Sequence, residues 1–359
     1  MQTKADNSYY TYQEIVNQPQ AWQAVLQEAN SQSGAVRRCW QPEETQEVIF
    51  TGCGSTYYLA RAAAAIFQGM TGVLATAHPA SDLLLFPDIT LSQGASRMLV
   101  ALSRSGETTE TLRAIDQFRA RDHGPVVGIT CYDDTTLVRM ASISLVAREA
   151  HEESVAQTRS FASMLVAAQA LAFISADRPM SARFLELPGL GAALIKDNLE
   201  LAQQLGRNPA FDRFFFLGSG PFYGLACEAM LKMKEMSLSY SEAFHFLEFR
   251  HGPMSMVNRQ TLMVGLLSET ALSHEVALLK EMRALGANVL AIAPVDLSAE
   301  RMDYQVVLPK GLTDMERGVL YLPVLQLLAF YRSLHNGLNP DRPTNLTAVV
   351  NLDIEPVLA

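Results

Sequence analysis

Two groups of side chains in this sequence are spaced for chemistry. The first is Leu102-Ser-Arg-Ser-Gly-Glu-Thr-Thr109, lying between an apolar run and a polar run of helical period. The hydroxyls of Ser103, Ser105 and Thr108, with a glycine that lets backbone N–H groups converge, suit a single anion at a helix N-terminus, where the peptide dipoles favour negative charge. Taken alone, the pattern also fits a plain helix cap. A second turn, Gly52-Cys-Gly-Ser-Thr56, follows another apolar run and brings Gly54, Ser55 and Thr56 to the same end of the expected sheet. Two hydroxyl-bearing loops side by side favour a phosphate cradle. Neither is G-x-x-x-x-G-K-[ST], and Gly52/Gly54 does not continue as G-x-G-x-x-G, which argues against a nucleoside triphosphate or a dinucleotide.

The second group is Glu228, Lys232 and Glu235, at i, i+4 and i+7 on one helical face. Spacing alone equally fits a solvated salt-bridge ladder. Ala226, Cys227, Ala229, Met230, Leu231, Met233 and Met236 leave little polar face, however, so at least one charge is expected to be partly buried. Burial of Glu235 would raise its pKa toward that of a useful base, and Lys232 would oppose the rise. His251, in Arg250-His-Gly-Pro253, sits in a turn after an aromatic-rich segment read as helix. A lone turn histidine is often structural.

These groups need elements to hold them. Tyr12–Val36 reads as a helix, and Glu47–Thr51 as a strand entering the first glycine turn. Tyr57–Gly69 is the helix that follows. Met98–Ser103, Val126–Thr130 and Ser142–Val146 read as strands, with Glu107–Asp122 as a helix between the first two. The pattern then recurs: Phe214–Gly218, a helix Tyr223–Tyr240, and strands Leu262–Ser268 and Val289–Ala293. Gly218 follows Gly52 by 166 residues and Ser268 follows Ser103 by 165, so the register holds at two landmarks. That offset marks a duplicated domain, since solenoid periods are roughly 20–50 residues. Ala167–Gly206 is a helical junction with breaks expected at Pro179 and Pro188. Alternating strands and helices predict an α/β protein with parallel sheets covered on both faces. The second half loses the loop chemistry: Pro221 and Phe222 replace Ser55 and Thr56, and Glu269 in Leu267-Ser-Glu-Thr-Ala271 would repel an anion. One phosphate site per chain is expected.

At this point the sequence resembles the tandem members of the sugar isomerase (SIS) domain family. Ser103-Arg-Ser-Gly-Glu-Thr108 is similar to that family's phosphate loop, and Glu152-Glu-Ser-Val-Ala-Gln-Thr-Arg159 to the loop that closes over the sugar. Glu228–Glu235 and Glu248-Phe-Arg-His-Gly-Pro253 resemble the catalytic helix and histidine loop of the isomerase half of glucosamine-6-phosphate synthase. The resemblance implies two flavodoxin-like three-layer α/β/α domains, at 31–185 and 186–340, with a helical lead-in at 1–30 and a tail at 341–359 over the active site. It implies phosphate binding by Gly54, Ser55, Thr56, Ser103, Arg104, Ser105 and Thr108, and sugar contact by Glu152, Val155 and Gln157. Glu235 would carry the proton between C1 and C2 of the sugar, with Lys232 beside it. His251 would open the ring in the neighbouring subunit's site, which makes a homodimer the expected assembly. A carboxylate and a histidine suffice for such an isomerisation, so no metal or other cofactor is expected.

Two departures shape the expected activity. The chain opens Met1-Gln2 without a glutaminase domain, so glutamine is not the expected nitrogen donor. Ala348 stands where the synthase tail carries a lysine, removing Schiff-base chemistry there. The expectation is therefore an amino-sugar-phosphate deaminase/isomerase. A fructosamine-phosphate deglycase and a simple aldose–ketose isomerase are close alternatives, and a non-catalytic sugar-phosphate sensor is the alternative of another class. Bulk properties agree: 359 residues suit two domains, and 49% hydrophobic with 18% charged residues suits globular packing. A net charge of −9 without basic runs argues against nucleic acid or an anionic membrane as partner. The polar first twelve residues and the scattered Cys39, Cys53, Cys131 and Cys227 lead to an expectation of a soluble, cytoplasmic protein with reduced thiols.

Overall fold

A computed structural model of the chain describes residues 5–91, 94, 96–122, 124–347 and 352. The first sheet is built from β1 (Glu47–Gly52), β2 (Leu74–Pro79), β3 (Arg97–Leu102), β4 (Val126–Thr130) and β5 (Ile143–Val146). The second is built from β6 (Arg213–Gly218), β7 (Tyr240–Phe244), β8 (Thr261–Leu266), β9 (Asn288–Ala293) and β10 (Tyr304–Val307). Their orders are β2-β1-β3-β4-β5 and β10-β9-β8-β6-β7, and every pairing is parallel. Read from β7, the second order repeats the first, so the duplication seen in the sequence is a duplication of topology. Both sheets are flanked by helices in three-layer α/β/α fashion.

Three strands absent from the sequence reading, β2, β7 and β10, are all sheet edges. Central strands such as β3, β4 and β8 are buried along their whole length and read as continuous apolar runs. β2 has no fully buried residue and β7 has one, so neither carries that signature. The helix expected at Tyr223–Tyr240 runs Pro221–Ser237: proline is tolerated in the first turn, Leu238 turns left-handed at φ 53°, and Tyr240 already begins β7. The segment before His251 is therefore strand followed by a 3₁₀ turn, Leu247–Arg250, rather than helix. Pro179 lies in a break between helices, whereas Pro188 sits in the first turn of the helix Leu187–Gly206 and starts it. The lead-in boundary expected at residue 30 falls inside the helix Tyr10–Cys39.

One apolar core runs through both halves. Its centre is the crossing of two equivalent helices, Ser55–Thr71 from the first half and Pro221–Ser237 from the second. At Gly224 a Cβ would lie 2.5 Å from the Tyr58 carbonyl oxygen and 2.7 Å from the Ala62 nitrogen. Only glycine lets the two backbones approach this closely. Helix Leu322–His335 packs on Pro221–Ser237 from the other side, and Tyr10–Cys39 packs on Arg159–Ser175 and Leu187–Gly206. Among the described residues no helix is long and apolar enough to cross a membrane, and all four cysteines are free thiols.

Candidate active site

The loop Ser103–Thr108 leaves β3 and enters the helix Thr109–Arg121. It holds its own shape. Ser103 Oγ accepts the Gly106 N–H at 3.1 Å and shares a hydrogen bond with Thr108 Oγ1 at 3.0 Å; Ser105 Oγ accepts the Glu107 N–H at 3.2 Å. Gly106 has φ +67°, and a Cβ there would lie 2.3 Å from Thr135 Oγ1, so the position excludes side chains on two counts. The neighbouring turn places Gly54 at φ +54°. Thr56 Oγ1 closes that turn, donating to the Cys53 carbonyl and accepting the Cys53 N–H, each at 2.9 Å.

These loops face the crossing helix across a cavity of about 210 Å³. Of the residues singled out in the sequence, Gly54, Ser55, Thr56, Arg104, Ser105, Thr108, Val155, Gln157, Lys232 and Glu235 line it. Glu110, Cys53 and the tail residues Leu346 and Thr347 line it too and were not read from the sequence. An acid in the first turn of a helix reads as dipole compensation, and nothing local marks the tail residues. A larger, more open cleft beside Arg61, Tyr223 and His245 lacks convergent hydroxyls.

Three expected site residues stand elsewhere. Ser103 lies beneath the loop, buried, and shapes it from behind. Glu152 does not reach the cavity. Its side chain is buried, pairs with Arg104 Nη1 at 3.1 Å, and accepts the N–H groups of Thr158 at 2.7 Å and Ser160 at 3.0 Å at the start of helix Arg159–Ser175. Its work is to hold Arg104 and start a helix. His251 is exposed and lies off its own chain's cavity. Ala348 is outside the described residues.

In the charged row, burial falls on a different carboxylate from the one expected. Glu228 and Lys232 are each 1% exposed, while the Glu235 side chain keeps 19% and opens into the cavity. Glu228 is covered because the close crossing at Gly224, one turn away, lays the Ser55 helix over it; Ser55 Oγ donates to Glu228 Oε1 at 3.1 Å. Burial pushes the Glu228 carboxyl up to about 8, against the pull of Lys232, and the charge of Glu235 adds to the rise. Burial works against the Lys232 charge, but the facing carboxylates outweigh it and hold the ammonium above its usual range. Lys232 Nζ lies 3.4 Å from Glu228 and is hydrogen-bonded to Glu235. One ammonium between two carboxylates neutralises one charge, and near neutrality the raised Glu228 carboxyl holds its proton.

A stability test follows. Glu228 binds its proton more tightly folded than unfolded, so its contribution is complete below its ordinary value of 4.5 and is lost as pH rises through about 8. Thermal melts of the wild type should therefore weaken between pH 5 and 8 relative to Glu228→Gln, which has no such proton to lose. Parallel curves would remove Glu228 as the titrating group.

The second half fills its equivalent loop from within. The Asp314 carboxylate accepts the N–H groups of Glu269 at 3.0 Å and Thr270 at 3.2 Å and the Thr270 hydroxyl at 2.9 Å. Glu275 takes the Ser268 N–H at 2.7 Å. Glu269, read as a repulsive charge, is paired with Arg317 at 2.7 Å. An internal carboxylate thus sits against the backbone that would cradle an anion.

Comparison with known proteins extends these observations. The SIS domain family model matches residues 43–174 and 211–331. The glutamine–fructose-6-phosphate aminotransferase (isomerizing) of Methanothermobacter thermautotrophicus is 26% identical over 361 residues, 98% of this chain but 59% of its own length. The chain thus spans about three-fifths of the aminotransferases it matches. The D-galactosamine-6-phosphate deaminase AgaS of Escherichia coli is 27% identical, with 97% of this chain and 95% of its own covered. Among solved structures, glucosamine-6-phosphate deaminase from Thermotoga maritima superposes with TM-score 0.81 at 29% identity, covering 96% of this chain and all of its own. Tagatose-6-phosphate ketose/aldose isomerase from Escherichia coli gives 0.86 at 24% identity, covering 94% and 96%.

Proposed function

The chain belongs to the SIS domain family of phosphosugar isomerases, and on that premise we propose that it is an amino-sugar-phosphate deaminase/isomerase, turning a 2-amino-2-deoxy-hexose 6-phosphate into the ketose 6-phosphate and ammonia. One observation carries the reading: the hydroxyl loops and the Lys232–Glu235 pair open into the same 210 Å³ cavity. The two deaminases above are 27% and 29% identical over nearly their whole length, against 24% for the tagatose-6-phosphate isomerase, which supports the amino sugar over a neutral one.

The phosphate sits against Ser105, Thr108 and the Ser55–Thr56 turn, at the N-terminus of helix Thr109–Arg121. Ring opening exposes an aldehyde at C1. Glu235 removes the proton from C2 and delivers it to C1, leaving a C2 imine that takes up water and releases ammonia. Lys232 holds Glu235 by a hydrogen bond at the edge of the cavity. Ring opening falls to His251 of a second copy, which its exposure and its place off its own cavity support. The assembly is then a homodimer with shared sites. The free thiols suit a cytoplasmic setting.

The functional test is ammonia release with ketose formation across glucosamine, galactosamine and fructosamine phosphates. Ketose formation from neutral aldose phosphates alone, with no ammonia from any amino sugar, would reduce the reading to a simple isomerase. For the phosphate site, Ser105→Ala should weaken sugar 6-phosphate binding by roughly 1–2 kcal/mol, the scale of a hydrogen bond to a charged group, and Ser268→Ala should leave it unchanged. Equal calorimetric losses at both positions would contradict a single site. For the shared site, Glu235→Gln and His251→Ala chains that exchange subunits should recover up to about a quarter of active sites on random pairing. Verified heterodimers without activity would take His251 out of the neighbour's site.

A further inference from the structure

Residues outside both family-matched segments converge on the cavity from behind. The loop 152–157 has no regular secondary structure, yet Val155 and Gln157 on it line the cavity. The Glu14 carboxylate and the main-chain carbonyl of Asp341, on other parts of the chain, hold it. Glu14, on the helix Tyr10–Cys39, accepts the N–H of Glu153 at 2.6 Å and of Ser154 at 3.2 Å, and the Ser154 hydroxyl donates to its other oxygen. Two successive backbone N–H groups on one carboxylate form an anion nest, here filled by a side chain. The next amide, Val155 N–H, donates to the Asp341 carbonyl at 3.1 Å. Asp341 in turn accepts the N–H and the hydroxyl of Thr11, each at 2.8 Å, one helical turn before Glu14. All four partners are nearly closed to solvent: Thr11 0%, Glu14 4%, Ser154 3% and Asp341 7%. Asp341 also roots the segment whose Leu346 and Thr347 line the cavity.

We infer that Thr11, Glu14 and Asp341 form a latch that sets the sugar-facing loop and the root of the tail together, so that Glu14 and Asp341 govern affinity for the sugar portion of the substrate without touching it. They are positioning residues, and the inference rests on the cavity being a sugar-phosphate site. Bonds to a carboxylate are roughly twice as strong as neutral ones, and those to Glu14 join the Arg104–Glu152 pair as side-chain anchors of a loop with no ladder of its own. The phosphate loop Ser103–Thr108 touches the latched loop through Arg104, which pairs with Glu152 at 3.1 Å and reaches the Ser154 carbonyl at 3.5 Å. Its own turn is shaped by Ser103, Ser105 and Gly106, so the latch bears on it less than on the sugar-facing loop.

That separation gives a readout that a merely structural helix contact would not move. In the full-length protein, Glu14→Ala and Asp341→Ala should raise the Kd and KM for glucosamine or galactosamine 6-phosphate about tenfold, a loss of about 1.4 kcal/mol. Affinity for inorganic phosphate, measured by calorimetry, should stay within about twofold, and kcat should change less than KM. Glu14→Gln, which keeps the volume and one accepting oxygen, should show a smaller loss in the same direction and carries the test if the alanine variant does not fold. Variants that lose both probes in equal proportion, or neither, overturn the latch. Wild-type protein that binds neither inorganic phosphate nor any sugar 6-phosphate overturns the functional reading and the latch with it.

Discussion

Glu235→Gln protein should bind a sugar 6-phosphate nearly as well as the wild type while its turnover falls by roughly 10²–10⁴-fold, the usual range for general-base assistance. Glutamine keeps the length and most of the hydrogen bonding but cannot accept the C2 proton. Binding survives because the phosphate contacts come from the hydroxyl loops on the first half, whereas Glu235 projects from the second. In deuterated water the wild type should place deuterium at C1 or C2 to the extent that the proton on Glu235 exchanges with solvent during transfer, and the variant should place none. Lys232→Met should behave differently. Without its ammonium the buried Glu228 carboxyl loses the partner that pulls its pKa down, so the pH optimum should move more than the limiting rate. A Glu235→Gln enzyme at wild-type speed would remove the carboxylate from the reaction, leaving a binding protein on an inherited fold.

Gly224→Ala should cost at least about 3 kcal/mol, the upper end of ordinary overpacking, because the added Cβ meets backbone on both sides. Side chains can rotate away from an extra methyl; the Tyr58 carbonyl and the Ala62 nitrogen cannot. The helices must part, and the Ser55–Glu228 hydrogen bond one turn along should break with them. Activity should therefore fall together with melting temperature. Gly189→Ala is the control: it lies exposed near the start of helix Leu187–Gly206 with nothing within 4 Å of the new Cβ, and should gain up to about 1 kcal/mol from helix propensity. Equal and small effects at the two positions would mean that the crossing is looser than the contacts require.

The sequence announced whatever local pattern could carry. The duplicated register, the central strands and the two hydroxyl loops were legible, because continuous apolar runs and glycine turns are properties of short segments. The edge strands were not, since half-exposed segments such as Leu74–Pro79 are no more apolar than loops. The row Glu228, Lys232, Glu235 was correctly placed on one face, but which carboxylate is covered depends on a helix some 170 residues earlier in the chain. The role of Glu152 was hidden for the same reason: its partner Arg104, 48 residues earlier, becomes a neighbour only in the fold.

The Asp314 carboxylate on the second-half loop has a thermodynamic consequence. A tethered anion is present at an effective concentration that no free ligand matches, so that loop has met its ordering entropy already, during folding. The first-half loop takes its shape from Ser103, Ser105 and Gly106, so the further ordering an anion from solution brings there should be modest, and absent from the second half. Amide exchange should then slow around Ser103–Thr108 on substrate binding and stay constant at Glu269 and Thr270. Substrate capture should then be felt in the first half and not in the second, from which Glu235 projects.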